Sequence, residues 1–294
     1  MSYRSVFRPD LFKGRNVIVT GGGSGIGRCT AHELASLGAR VALVGRKEDK
    51  LKTVQAEIIE DGGDALWFTC DIREEDKVRE TVAAIIAAMG PIHGLVNNAG
   101  GQFPSPLNMI NQKGWETVIR TNLTGGFLMA REVFNQSMEK HGGSIVNIIA
   151  DMWGGMPGMG HSGAARAGMD NFTKTAAYEW GRAGVRVNAV APGWVASSGM
   201  DTYPEAFKQV IRTLKSAVPL KRLGEEAEIS AAIVFLLSDA AGFISGDTVR
   251  VDGAASQGNI AISPLVDHNN SKPFDGFHRA VPPALFQEDD NAGD

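Results

Sequence analysis

Residues 15–27 read Arg15-Asn-Val-Ile-Val-Thr20-Gly-Gly-Gly-Ser-Gly-Ile-Gly27: a short apolar run, then a glycine cluster, then the start of a helical pattern. The run 15–20 predicts a buried strand, and 26–37 predicts a helix stopped by Gly38. A strand that turns into a helix through glycines is a phosphate cradle. Gly21, Gly25 and Gly27 permit a tight turn and close approach of the backbone to a pyrophosphate. Ser24 and Ile26 bring the turn into the helix, whose first N–H groups face the anion.

The same rhythm continues outward. Apolar runs at 40–44, 65–69, 93–97, 144–149, 185–190 and 248–251 predict six further strands. Helical patterns at 48–60 and 74–89 lie between the early ones, and Asp61-Gly-Gly-Asp64 supplies a turn. Strand–helix–strand alternation requires right-handed crossovers and a parallel sheet. Strands that are apolar nearly throughout are covered on both faces. The expected fold is α/β: a single-domain, doubly wound Rossmann fold with a seven-stranded parallel sheet over residues 10–253. Residues 254–294 form a polar C-terminal extension, expected to be partly ordered and disordered at its acidic end, or to wrap onto a neighbour. The segment 193–217 reads as a long connection rich in Gly, Ser and Met, a candidate substrate lid.

The composition excludes several classes of function. The chain has 294 residues, 43% hydrophobic and 21% charged, an ordinary globular balance. A formal charge of −4 leaves no electrostatic footprint for nucleic acid. Cys29 and Cys70, far apart in apolar surroundings, read as small buried residues, so neither a disulfide framework nor a metal site is expected. No run reaches the length of a membrane helix, and the N-terminus lacks the apolar core of a signal peptide. A cytoplasmic location is the expectation.

The second strand ends at Val44, followed by Gly45-Arg46-Lys47. A site for NAD(H) places an acid at this strand end to hold the ribose 2′-hydroxyl. Here the position is glycine, and the guanidinium of Arg46 suits a 2′-phosphate, which puts NADP(H) ahead of NAD(H). Glu48 reads instead as a first-turn helix residue facing the dipole.

Further motifs occur in order: Asp71-Ile72 after the third strand, Asn97-Asn-Ala-Gly100 after the fourth, then Asn122 in RTNLTG, GGSIVNI at 142–148, and Arg186-Val-Asn-Ala-Val-Ala-Pro-Gly193. Together with the glycine turn they make the chain resemble the short-chain dehydrogenase/reductase family over nearly its whole length. The resemblance implies NAD(P)-dependent oxidoreduction of a small molecule and a homotetramer. It implies that Asp71 and Ile72 flank the adenine, that Asn98, Ala99 and Gly100 support the cofactor, and that Pro192 and Gly193 lie by the nicotinamide.

The departures matter equally. Ile149-Ala150, then Asp151, stand where the family's catalytic serine follows the fifth strand. The family's Tyr-x-x-x-Lys is Ser162-Gly-Ala-Ala-Arg166 here, so of the usual catalytic four only Asn122 is present by identity. NNAGGQFPSP at 97–106, NLTGGF and HSGAARAG resemble the subgroup of 2,4-dienoyl-CoA and peroxisomal trans-2-enoyl-CoA reductases. The latter carry a tyrosine further along the same helix, where this chain has Asp170.

An aliphatic hydroxyl is too weak an acid for ordinary alcohol–ketone exchange, and an arginine does not shuttle protons. Reduction of an enoyl-CoA C=C bond asks less, because hydrogen-bond donors can stabilise the enolate oxygen. On that reading Asn122, Ser162 and Arg166 are the catalytic candidates, and Arg166 also holds the cofactor ribose. Asp170, one turn on, can pair with Arg166. Gln102, Phe103, Asp151, Trp153 and His161 are candidate substrate contacts. Ser162 reads equally as a small residue for close helix packing, and Asp170 as a structural partner. Two other functions stay open: a dehydrogenase or reductase of an apolar alcohol or aldehyde, branched or terpenoid, and a non-catalytic nucleotide-binding scaffold with a decayed site.

Overall fold

The computed structural model describes residues 2–258 and 264–290. The strands are β1 (Asn16–Thr20), β2 (Arg40–Gly45), β3 (Asp64–Thr69), β4 (Gly94–Asn97), β5 (Gly143–Ile148), β6 (Val185–Pro192) and β7 (Thr248–Val251). They form one seven-stranded sheet in the order β3-β2-β1-β4-β5-β6-β7, every neighbouring pair parallel. The order reverses between β1 and β4, and that switch point opens a crevice at the carboxyl ends of the strands.

Period-two alternation builds both cores. Val17 and Val19 of β1 point to one face, where they meet Leu34 of α1 (Gly25–Ser36), Leu51 and Ile58 of α2 (Glu48–Glu60), and Ile233 of α9 (Glu226–Leu237). Ile18 points to the other face, against Val78 and Val82 of α3 (Glu75–Met89) and Met129 of α5 (Gly125–Val133). These side chains are fully or almost fully buried, and each such burial contributes about 1.5–3 kcal/mol.

On the second face, α4 (Gln112–Ile119) runs into α5 through the π-helical turn Arg120–Thr124, and α5 continues through a second such turn, Phe134–Met138, into α6 (Glu139–His141). The 21-residue helix α7 (Gly160–Trp180) completes that layer.

The segment 193–217 is more ordered than its composition suggests. It holds the 3₁₀ turn Ser198–Thr202, α8 (Glu205–Thr213) and the 3₁₀ turn Leu214–Ala217. Pro204 precedes the helix, and Phe207, Ile211 and Leu214 recur at helical spacing to pack with Trp194, Met200 and Tyr203.

The tail returns onto its own chain. Phe277 is buried beneath the guanidinium of Arg28, 5.0 Å from its ring, and Arg279 forms ion pairs with Glu60 and Asp61 at 2.8 and 2.9 Å. The last helix, α10 (Ala284–Asp290), sets Leu285 against Met200 and Ile211. The final residues 291–294, where disorder is expected, lie outside the described residues. Among the described residues no helix is long and apolar enough to cross a membrane.

Candidate active site

The glycine turn after β1 is built for close approach. Gly21 and Gly25 have φ of +66° and +57°, backbone conformations that favour glycine. A Cβ on Gly27 would lie 2.4 Å from the carbonyl oxygen of Gly21 and 2.5 Å from Nδ2 of Asn98. Asn98 donates that Nδ2 to the Thr20 carbonyl at 3.0 Å, and Thr20 Oγ1 accepts from the backbone N–H groups of Asn98 and Ala99 at 3.0 Å each. The loops after β1 and β4 are thereby stitched together at the switch point. Ser24 makes no side-chain cap on α1. The first N–H groups of that helix therefore remain available to an anion.

A crevice of about 220 Å³ opens here. Its lining gathers Gly21, Ser24, Arg46, Asp71, Ile72, Ala99 and Gly100, all expected from the sequence. It also contains Lys47 and Lys50, so three cations stand beyond β2 where an acid would otherwise hold a ribose diol. Sequence reading passed over Lys50 because it lies on α2 rather than in the turn. Arg73 hydrogen-bonds both carboxylate oxygens of Asp71 and, with the charge of Arg46, holds that carboxyl down at about 2. Glu48 occupies the first turn of α2, as its sequence reading has it, and pairs with Lys52 at 2.6 Å.

Asn122 sits in the π-helical turn Arg120–Thr124, almost fully buried. Its Nδ2 donates to the Gly101 carbonyl at 2.7 Å and its Oδ1 accepts from the Gly101 N–H at 2.9 Å. Both ends of the carboxamide are spent on holding the loop after β4.

Arg166 reaches inward from α7 to donate to the Ile148 carbonyl at 2.5 Å. Its Nε is shut off from water without a partner among the described residues. Burial alone brings its guanidinium down to about 10. The expected pairing with Asp170 is not formed. Asp170 accepts instead from Lys174 and from Thr248 Oγ1, each at 2.6 Å. Its carboxyl is thus turned away from the cleft, toward β7 and the outer face of α7.

Ser162 sits as its reading as a small, closely packed helix residue expects, and His161 lies deeper than a substrate contact would. Both are completely buried, so neither faces open space. The Ser162 hydroxyl donates to Gln102 Oε1 at 2.6 Å, and His161 lies edge-on to Phe103 with ring centroids 4.4 Å apart. Gln102 and Phe103 are thus the outer layer, and the serine and histidine stand behind them. Gln102 Nε2 in turn donates to the hydroxyl of Tyr203 at 2.9 Å. Tyr203 escaped sequence reading because nothing local marks it: it stands alone in the segment before α8.

At the β6 end, Asp151 N–H approaches the Pro192 carbonyl at 3.4 Å, and Gly193 N–H donates to Val251 at 3.0 Å. A Cβ on Gly193 would fall 2.8 Å from Cα of Asp252. Asp151 is half-buried, and burial, reinforced by the nearby Asp252 charge, pushes its carboxyl up. Trp153 lies under Arg250, 3.7 Å from its guanidinium carbon. Asp151, Pro192 and Gly193 are brought together, while Trp153 is drawn toward β7.

Comparison with known proteins agrees with this geometry. A family model described as enoyl-(acyl carrier protein) reductase matches residues 21–256. A probable 2,4-dienoyl-CoA reductase of Bacillus subtilis (strain 168) is 38% identical over 241 residues, covering 81% of this chain and 94% of the relative. A glucose 1-dehydrogenase of Gluconobacter oxydans (strain 621H) is 42% identical over 252 residues, covering 83% and 92%. Among solved structures, the citronellol catabolism dehydrogenase of Pseudomonas aeruginosa PAO1 superposes with a TM-score of 0.79 at 67% identity, over 87% of this chain and 100% of that one.

Proposed function

The chain belongs to the short-chain dehydrogenase/reductase family of NAD(P)-dependent oxidoreductases, and from that premise we propose that it reduces the C=C bond of an enoyl-CoA thioester, using NADPH. A bound nicotinamide supplies hydride to such a substrate. The residues present fit that cofactor: Gly21 and Gly27 let the turn fold tightly against Asn98, with no room for a Cβ at either position, and the uncapped start of α1 receives the pyrophosphate. Arg46, Lys47 and Lys50 take the 2′-phosphate, and Asp71 and Ile72 flank the adenine. Asn98, Ala99 and Gly100 support the cofactor from the β4 loop, Arg166 holds the ribose of the nicotinamide half, and Pro192 and Gly193 border the ring.

One observation carries the choice of reaction. The hydroxyl at the family's acid position, Ser162, is completely buried and bonded to Gln102, while the cation beside it, Arg166, has no carboxylate partner among the described residues. An unpaired guanidinium in a poorly solvated site favours negative charge developing nearby. An enolate needs only that stabilisation, whereas oxidation of an alcohol also needs a proton acceptor, and a buried serine hydroxyl is a poor one. Asn122 contributes by fixing Gly101, and so the loop that carries Gly100 and Gln102.

A second reading has support of its own. The relative that is 67% identical is named for citronellol catabolism, which fits oxidation or reduction of a branched terpenoid alcohol or aldehyde. One experiment separates the two: follow nicotinamide absorbance with NADPH and a panel of straight and methyl-branched enoyl- and dienoyl-thioesters, then with NADP⁺ or NAD⁺ and terpenoid alcohols. Consumption restricted to thioesters is the expected result, and turnover restricted to alcohols replaces the first reading with the second.

A further inference from the structure

Resting on the reading of this site as a reductase of activated C=C bonds, we propose that Tyr203, carried by the segment between β6 and α8, is the proton donor of the reaction, and that Gln102 positions it. The chain has three tyrosines. Tyr3 is buried against Cys29 and Glu33, and Tyr178 is exposed at the end of α7. Tyr203 alone reaches the loop after β4.

Its setting is that of a held phenol. Gln102 uses both ends of its carboxamide: Oε1 accepts from Ser162 at 2.6 Å, and Nε2 donates to the Tyr203 oxygen at 2.9 Å. The phenol therefore accepts from Gln102 and keeps its own proton, for which no acceptor stands among the described residues. Phe207, at 5.1 Å between ring centroids, steadies the ring. Gln102 follows Gly101, which Asn122 clamps, and Gly100, against which Arg166 lies. The same short loop thus carries the group that holds the phenol and lies against the family's cofactor cation. A phenol is a far stronger acid than the serine hydroxyl behind it. Ser162 is a positioning residue: it orients Gln102, and Gln102 presents Tyr203.

The chemistry balances as follows. A bound nicotinamide would supply hydride to the β-carbon, and the π electrons would then move onto the α-carbon and thioester oxygen as an enolate. The O–H bond of Tyr203 breaks, its proton forms the new C–H bond at the α-carbon, and the phenolate regains a proton from solvent.

The test uses the full chain, NADPH and an α-methyl enoyl thioester in D₂O, with product read by NMR. Wild-type protein is expected to place deuterium on one face of the α-carbon. Tyr203→Phe, which keeps the ring, is expected to slow turnover by about 100-fold or more and to leave deuterium on both faces. Its dissociation constant for NADPH, from nicotinamide fluorescence, should stay within about twofold of wild type. Gln102→Leu, which leaves the phenol unheld, should lose facial selectivity too, and it decides the matter should the phenylalanine variant fold poorly. Unchanged rate and selectivity in these variants of an active protein overturn the role of Tyr203 and leave the reductase reading standing. A wild-type protein inert toward every thioester removes that reading and this inference together.

Discussion

Arg166 and Gly100 share one space: a Cβ on Gly100 would lie 2.7 Å from Nη2 of Arg166 and equally close to Oδ1 of Asn122. The loop after β4 and the guanidinium from α7 can meet only because that position is glycine.

Gly100→Ala should therefore act on ligand binding more than on folding. The added methyl must displace Arg166 or Asn122, and both touch the loop proposed to support the cofactor. We expect NADPH affinity to fall by about tenfold, with little change in the denaturation midpoint, measured by fluorescence titration and urea unfolding. Equal affinity in the variant would mean that this contact is incidental.

Arg166→Met should separate stability from function. A buried cation without a carboxylate partner is costly to the free protein, and a methionine of similar length removes that cost. Stability should rise by about 1 kcal/mol, while NADPH affinity drops by about 10- to 100-fold. A variant that both unfolds more easily and binds NADPH normally would place Arg166 outside the site.

Arg46→Asp should invert cofactor choice. The crevice beyond β2 holds Arg46, Lys47 and Lys50, while the strand end itself is Gly45, and the acid in its lining, Asp71 after β3, is tied to Arg73. Losing one charge-assisted contact and adding repulsion should weaken NADPH by about 100-fold. NADH, with a ribose diol that an acid can hold, should weaken far less or improve. The ratio of kcat/KM for the two cofactors is the measurement.

Asp170→Asn tests the pairing on α7. With Lys174 and Thr248 as its partners, the loss should cost about 1 kcal/mol of stability. NADPH affinity should stay at the wild-type value. A large fall in affinity would restore the Arg166 pairing that the sequence suggested.

That pairing shows what sequence can and cannot decide. Arg166, Asp170 and Lys174 stand four residues apart in turn, so Asp170 has a cation one turn away on each side. An acid placed N-terminal to its cation is the better arrangement on a helix, and Asp170–Lys174 has it. Arg166 meanwhile turns inward to the Ile148 carbonyl. The glycine turn and the strands were legible because their signals are local: positive φ at Gly21, alternation of Val17, Ile18 and Val19. The burial of Ser162 depends on Gln102, sixty residues earlier, and Tyr203 depends on how a segment after β6 folds back. Such contacts leave no periodicity in the chain. The helix α8 carries a local signal that its surroundings mask, since Phe207, Ile211 and Leu214 stand at helical spacing behind a glycine- and serine-rich stretch.

Glu226 should make stability fall as pH rises through neutrality. It begins α9, almost fully buried, with Oε1 3.8 Å from where a Cβ on Gly25 would lie. Burial pushes its carboxyl up from 4.5 to about 7, the neighbouring Glu225 adds to the rise, and Arg28 offsets part of it. A carboxyl whose folded value is raised binds its proton more tightly in the native state. Its contribution is therefore fully present below the unfolded value of 4.5, declines between 4.5 and about 7, and is lost above. Each pKa unit is worth about 1.4 kcal/mol, so the swing is on the order of 3 kcal/mol. Other carboxyls are shifted too: burial raises Glu33 and Glu225, while Glu57 and Asp61 are lowered by their cationic partners. The difference between wild type and Glu226→Gln isolates the one group. Unfolding free energies from urea titrations at pH 5, 6, 7 and 8 should show the glutamine variant gaining on wild type from pH 5 to 7 and levelling off toward pH 8. A difference that stays constant with pH would mean that Glu226 is ionised in the folded protein throughout, and that the start of α9, set against the glycine turn, carries its negative charge at neutrality.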